Sequence, residues 1–185
     1  MTIPPTPLEL LMRLKDNISR WVGNIVFDPT ITGYNLFRTN IHKNIYTGII
    51  HGFCMPITCW SFFLIIYSLL CIYGTTPTNS MIHTKQLLIF IIGAMFAGYV
   101  TYDPFFGVLS LVSYWIFINY FMIRTIKYNK YVSLCIGIVF FISSVCFLEF
   151  FSHVYLEGLS SNLWEFSNSV YHTPLYATKS LFLLT

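Results

Sequence analysis

No lysine, arginine, aspartate or glutamate occurs between residues 44 and 84. The most apolar part of this stretch, at 49–73, can cross a hydrocarbon core of about 30 Å as a helix rising about 1.5 Å per residue. Charged residues make up only 9% of the whole chain, against roughly 25% in an ordinary soluble protein. Seven acids and ten bases cannot cover the surface of a soluble domain of 185 residues. The sequence therefore predicts an integral membrane protein.

Three more uncharged stretches follow, at 86–102, 104–123 and 131–148. Asp103-Pro104 separates the first two, and proline suits the first turn of a helix while displacing the residue before it from helical geometry. One helix through both stretches would be about 57 Å long and would overshoot the bilayer. We therefore expect a tight connection between two membrane helices here, with a single kinked helix as the alternative.

The predicted fold is all-α, a single membrane domain over 1–185 with about four transmembrane helices. It divides into a polar and amphipathic N-terminal segment at 1–47, a transmembrane core at 48–158 and an interfacial C-terminal segment at 159–185. With four spans, six bases would lie on the side of the N-terminus and four on the other side. This small excess favours a cytosolic N-terminus.

Several function classes find no support in the sequence. The bases are scattered and form no patch suited to nucleic acid, and serine-hydrolase and nucleotide-binding motifs are absent. The cysteines lie inside apolar stretches and form no CxxC pair, so we expect small buried hydrophobic residues rather than a disulfide framework or a zinc site. They are Cys54, Cys59, Cys71, Cys135 and Cys146.

A group of ionisable residues stands at the end of the fourth apolar stretch. Glu149, His153 and Glu157 are spaced so that they form one polar stripe on a helix. Ionisable groups at membrane depth are costly and usually mark a functional interior. The alternative is a helix that simply leaves the bilayer, with Glu157 in solvent.

Two histidines lie near the start of the first apolar stretch. His42 and His51 would point about 180° apart on one continuous helix, so they can share a site only if His42 lies in a turn that folds back. Histidine combined with carboxylate is a ligand set for Fe(II), Mn(II) or Zn(II), and two or three histidines with one carboxylate suit non-haem iron and oxygen. His83 is expected to be a spectator, whereas His172 is a possible extra ligand.

Three short blocks connect these residues. The first is His42-Lys-Asn-Ile-Tyr-Thr-Gly-Ile-Ile-His51, followed five residues later by Pro56. The second is Tyr99-Val-Thr-Tyr-Asp-Pro-Phe-Phe-Gly107, and the third is Glu149-Phe-Phe-Ser-His-Val-Tyr-Leu-Glu-Gly158.

In order and spacing, the blocks resemble the membrane-bound 2-hydroxy fatty acid dioxygenase family of the endoplasmic reticulum, over about residues 34–182. Both histidines and Asn44 match the first block, but the family has proline and asparagine at the positions of Ile45 and Thr47. In the third block the family has glutamine at the position of Glu149 and phenylalanine at that of Leu156.

The resemblance implies an Fe(II)-dependent enzyme that uses O2 to shorten a 2-hydroxy long-chain fatty acid by one carbon, with release of CO2. It implies that the lipid bilayer of the endoplasmic reticulum delivers the substrate, since a long acyl chain partitions into the membrane. A glutamate at position 149 would favour a bound cation and disfavour an acidic substrate close by.

The resemblance also implies a role for each matched residue. The iron ligands would be His42, His51 and His153 as neutral imidazoles, and Glu157 would complete the site or orient a histidine. Asn44 and Glu149 would support the ligands through hydrogen bonds. Asp103 and Pro104 would be structural, as a capped turn.

Two other functions stay open at this stage. The chain could be a non-catalytic membrane protein that keeps the family fold and binds lipid or a partner protein. It could also be a membrane haem protein with His51 and His153 as the two axial ligands. The sequence does not determine the oligomeric state or the chain length of a substrate.

Overall fold

The computed structural model describes residues 44–156 and 166–182. They form five α-helices and one π-helical segment: α1 (Ile45–Ile72), α2 (Pro77–Tyr102), α3 (Pro104–Thr125), α4 (Lys130–Cys146), the π-helical segment (Phe147–Leu156) and α5 (Phe166–Phe182). Since no strand occurs in this part of the chain, the predicted all-α fold is confirmed. Most of the predicted N-terminal segment lies outside the described residues.

Three of the described helices are long and apolar enough to cross a membrane. They cover Tyr46–Ile72, Pro104–Thr125 and Lys130–Leu156, where the last combines α4 with the π-helical segment. This confirms a membrane protein with several spanning helices. The predicted second span, at 86–102, lies within α2 and is helical. That α2 also crosses the membrane, which would bring the number of spans to four, stays a prediction.

The described residues fall into two compact units. The first contains residues 44–52, 146–156 and 166–182, and the second contains Phe53–Val145. The single domain expected over 1–185 stays a prediction.

The chain breaks between α2 and α3 at Asp103, as the Asp103-Pro104 pair predicts. Asp103 has a non-helical backbone (φ −152°, ψ 77°), and its side chain accepts a hydrogen bond from the Phe106 backbone N–H at 3.2 Å. Pro104 occupies the first position of α3, where a missing N–H costs no helical hydrogen bond. The helices come so close at this corner that a Cβ on Gly107 would lie 2.8 Å from Tyr99 Cβ.

In the second unit, α1 and α4 pack antiparallel through small side chains. Lys130 Nζ donates to the Cys71 carbonyl at 3.3 Å near one end, and Thr58 Oγ1 donates to Ser144 Oγ at 2.8 Å near the other. Between them, a Cβ on Gly137 would lie 3.2 Å from the Ser61 carbonyl oxygen. Small residues allow such an approach, which is how membrane helices gain packing contacts where lipid is as apolar as the side chains.

The cysteines correct one expectation. All five are free thiols, but only Cys71 is buried, while Cys54 and Cys59 are intermediate and Cys135 and Cys146 are exposed on α4. The prediction of burial is wrong for these two because an apolar stretch in a membrane protein has two apolar environments, the protein interior and the lipid. Serine and glycine occupy the buried face of α4 instead.

Candidate functional site

The predicted site residues are only partly described. His51 and His153 are described in full, whereas His42 and Glu157 lie outside the described residues. The Glu149 backbone belongs to the π-helical segment, and its side chain is also outside the described part. The roles predicted for these three residues stay predictions.

The start of α1 explains the first block of the sequence. Asn44 precedes the helix, and its Oδ1 accepts a hydrogen bond from the Tyr46 backbone N–H at 3.0 Å. This is the usual contact of a helix N-cap. Ile45 is the first residue of α1, a position where proline is also favoured, so the departure from the family pattern there is compatible with the same helix start. The predicted support of a metal-ligating residue by Asn44 stays a prediction.

His153 lies in a π-helical segment of ten residues that directly follows α4. The sequence spacing predicts one face of a regular helix, but a π-helix closes its hydrogen bonds one residue later and is wider. π-Helical turns are rare overall, but those that occur within longer helices are often found at functional sites. His153 and Ser152 are both buried in this segment, and Ser152 is fully buried.

His51 and His153 meet in the first unit although they are 102 residues apart in the chain. Their ring centroids are 5.1 Å apart and their planes are nearly perpendicular, at 86°. Both side chains are buried, with 3% and 6% of their surface exposed. Ionisable side chains inside a membrane protein often mark a functional interior, which makes this pair a candidate functional site.

The C-terminal helix α5 completes the surroundings of this histidine pair. The Tyr176 ring contacts the His51 ring edge-on, with centroids 5.9 Å apart and an interplanar angle of 88°. His172 lies four residues earlier on the same face of α5 and is fully buried. Residues 172–178 are all buried, and the interfacial position predicted for 159–185 stays a prediction.

Two glycines let α5 approach α1 beside His51. A Cβ on Gly48 would lie 2.6 Å from Ser180 Oγ and 3.2 Å from the Tyr176 hydroxyl oxygen. A Cβ on Gly52 would lie 2.6 Å from Leu181 Cγ. These glycines are four residues apart on one face of α1. Their lack of a side chain therefore permits the close approach that brings Tyr176 to His51.

The donor set that the described residues supply is two imidazoles. If each ligating nitrogen lies about 2.1 Å from a metal ion, two ring centroids can be at most roughly 6.4 Å apart. The 5.1 Å separation of His51 and His153 lies within this limit. Within 44–156 and 166–182, no group of three histidine, cysteine, aspartate or glutamate residues could hold a metal. A complete metal site therefore requires ligands from outside these ranges, where His42 and Glu157 lie.

The sequence interpretation missed the contribution of α5. Tyr176 and the Gly48–Gly52 pair were not among the predicted site residues. The glycine spacing, G-x-x-x-G within an apolar segment, is a recognised signal for close helix packing. It indicates which face of α1 is covered, but not that α5 covers it.

The fourth described histidine, His83, belongs to the second unit. His83 is exposed on α2, and its Nδ1 is 3.3 Å from Gln86 Oε1 on the same helix. Its expected role as a spectator stays a prediction.

Comparisons of the chain with protein-family models, with curated proteins and with solved structures found no match.

Proposed function

We propose that this protein is an Fe(II)-dependent dioxygenase of the endoplasmic reticulum membrane, which shortens 2-hydroxy long-chain fatty acids by one carbon. The single observation that carries the proposal is the buried contact between His51 and His153. These two residues belong to the first and third sequence blocks, which resemble the 2-hydroxy fatty acid dioxygenase family.

The proposed reaction balances as R–CH(OH)–COOH + O2 → R–COOH + CO2 + H2O. The bond between the carboxyl carbon and the hydroxyl-bearing carbon breaks, and the latter is oxidised to the new carboxyl group. Iron(II), which the histidines would hold, would supply the redox chemistry that O2 requires and that no amino-acid side chain provides.

The chain's own residues would have separate tasks. His51 and His153 would hold the iron as neutral imidazoles, together with His42 and Glu157. Tyr176 would restrict the orientation of the His51 ring through its edge-on contact. Burial of both histidines would keep bulk water away from the reacting groups.

The membrane would supply the substrate. Tyr46–Ile72 and Lys130–Leu156, which carry the two histidines, are both apolar enough to cross the bilayer. A long acyl chain partitions into the hydrocarbon phase, so a site on such helices can receive it without passage through water.

The spacing of the histidines favours non-haem iron over haem. Two histidines on opposite sides of one haem iron would have ring centroids roughly 6.4 Å apart, with the porphyrin between them. At 5.1 Å the two rings are in edge contact and leave no space for a macrocycle.

The test uses the full chain purified in detergent, loaded with Fe(II) without oxygen and then mixed with O2 and carboxyl-labelled 2-hydroxyhexadecanoic acid. We expect pentadecanoic acid and labelled CO2 in equal amounts. His51→Ala and His153→Ala should each lower the rate about 100-fold or more, because ligand loss affects a metal site at least as strongly as loss of a supporting residue. His83→Ala is the matched control and should keep the rate, since His83 is exposed on α2.

Metal analysis of the same preparation separates the competing functions. The proposal predicts about one iron per chain and a loss of iron in His51→Ala and His153→Ala. A protein without stoichiometric iron and without product would be the non-catalytic lipid-binding or interaction protein. A strong Soret band would instead identify a haem protein.

A further inference from the structure

The charged residues of the second unit are divided between its two ends. Between residues 53 and 145 the one acid is Asp103, at the corner between α2 and α3. Three of the four bases lie at the opposite end of α3, about 33 Å away along the helix. We call this the basic end and define it by Arg124, Lys127 and Lys130.

A hydrogen bond shows which other elements meet at the basic end. Lys130 Nζ donates to the carbonyl oxygen of Cys71, in the last turn of α1. The end of α1, the end of α3 and the beginning of α4 therefore lie together. The fourth base, Lys85, is exposed on α2, about 12 Å from the start of that helix, and belongs to the same half of the unit.

The basic end coincides with the ends of all three membrane-capable helices. Tyr46–Ile72 and Pro104–Thr125 both end here, and Lys130–Leu156 begins here. Four tyrosines at this end are exposed: Tyr73, Tyr120, Tyr128 and Tyr131. Exposed tyrosines at helix ends are typical of the interface between lipid and water. A membrane crossed by these three helices would have its lipid headgroups at the level of the basic end.

Within the second unit, these bases have no acidic neighbour, since the one acid of that unit is Asp103 at the opposite end. No aspartate or glutamate occurs in residues 104–148. Arg124 and Lys127 are exposed, and the Arg124 guanidinium stands 5.1 Å from the centroid of the Tyr120 ring. A guanidinium supported by an aromatic ring presents paired N–H donors in a fork that matches two phosphate oxygens.

We infer that the basic end binds the phosphate-bearing headgroups of anionic phospholipids. Arg124 would form paired hydrogen bonds with a phosphate, and Lys127 would add a second positive charge beside it. Lys130 would contribute charge while its ammonium group keeps its contact with Cys71. Binding depends on the negative charge of the headgroup, so it is expected in either leaflet of the bilayer.

The test is native mass spectrometry of the full chain in a zwitterionic detergent, titrated with dioctanoyl-phosphatidylserine or dioctanoyl-phosphatidylcholine. Each base near an anionic surface contributes roughly fivefold in affinity. We therefore expect Arg124→Gln combined with Lys127→Gln to weaken phosphatidylserine binding about 25-fold, with phosphatidylcholine binding unchanged. Neither iron nor a hydroxy acid is used, so the result is independent of the proposed catalysis.

Two further variants make the result specific to the basic end. Lys127→Gln alone changes one exposed side chain and should lower affinity about fivefold even if the double variant does not fold. Asp103→Asn changes the charge at the opposite end and should leave binding unaltered. Equal affinity for both lipids, or full phosphatidylserine binding by Lys127→Gln and the double variant, would overturn the inference. So would inorganic phosphate competing as strongly as the lipid, because the ligand would then be a soluble anion.

Discussion

Gly48→Ala tests whether the close approach of α5 to α1 builds the surroundings of His51. The new Cβ would lie 2.7 Å from Ser180 Cβ, whereas carbon atoms in contact are about 3.5–4.0 Å apart. Rotation of the Ser180 hydroxyl cannot relieve this contact, since Cβ is fixed to the backbone. The two helices must therefore separate locally by about 1 Å.

The expected magnitude follows from two opposing effects. Overpacking of this kind costs about 1–3 kcal/mol, while alanine in place of glycine within a helix gains up to about 1 kcal/mol. We expect a net loss of about 1–2 kcal/mol in the free energy of unfolding. Displacement of Tyr176 from the His51 ring should also lower the proposed dioxygenase rate.

The assay is unfolding by titration with SDS in mixed micelles, followed by tryptophan fluorescence. Gly93→Ala is the matched control, because Gly93 is exposed within α2 and a Cβ there would meet nothing within 4 Å. It should stabilise the helix by about 0.5–1 kcal/mol. Gly52→Ala should cost less than Gly48→Ala, since the group it meets is the Leu181 side chain, which is partly exposed and can rotate. If Gly48→Ala proves as stable as Gly93→Ala, α5 does not pack on α1 at this point.

Two other substitutions probe the second unit in the same unfolding assay. Asp103→Ala removes the side chain that caps α3 and should cost about 0.5–2 kcal/mol, whereas Asp103→Asn should keep most of the stability; equal stability of the two variants would contradict the capping role. Ser144→Ala removes the hydrogen bond from Thr58 and should cost about 0.6 kcal/mol, up to about 1.7. Ser143→Ala, on the exposed face of the same helix, should have no effect, and a loss equal to that of Ser144→Ala would contradict the assigned contact.

The prediction of the helices succeeded because the information is local. Long uncharged stretches predict spanning helices, and Asp103-Pro104 predicts the break between α2 and α3 through the geometry of two adjacent residues. The π-helical segment around His153 was not predicted, since the spacing of Glu149 and His153 fits a regular helix equally well. Burial of the cysteines was predicted incorrectly for Cys135 and Cys146, because apolar character does not distinguish the protein interior from lipid.

The sequence by itself thus determined that this chain forms the apolar helices of a membrane protein. It also determined that the chain breaks between α2 and α3, and which few residues could carry chemistry. Only the tertiary structure decided that His51 meets His153 and that Tyr176 covers the His51 ring. The physical reason is that residue periodicity specifies one face of one helix. Which faces meet depends on where glycines such as Gly48 permit close approach, and such contacts join segments far apart in the chain.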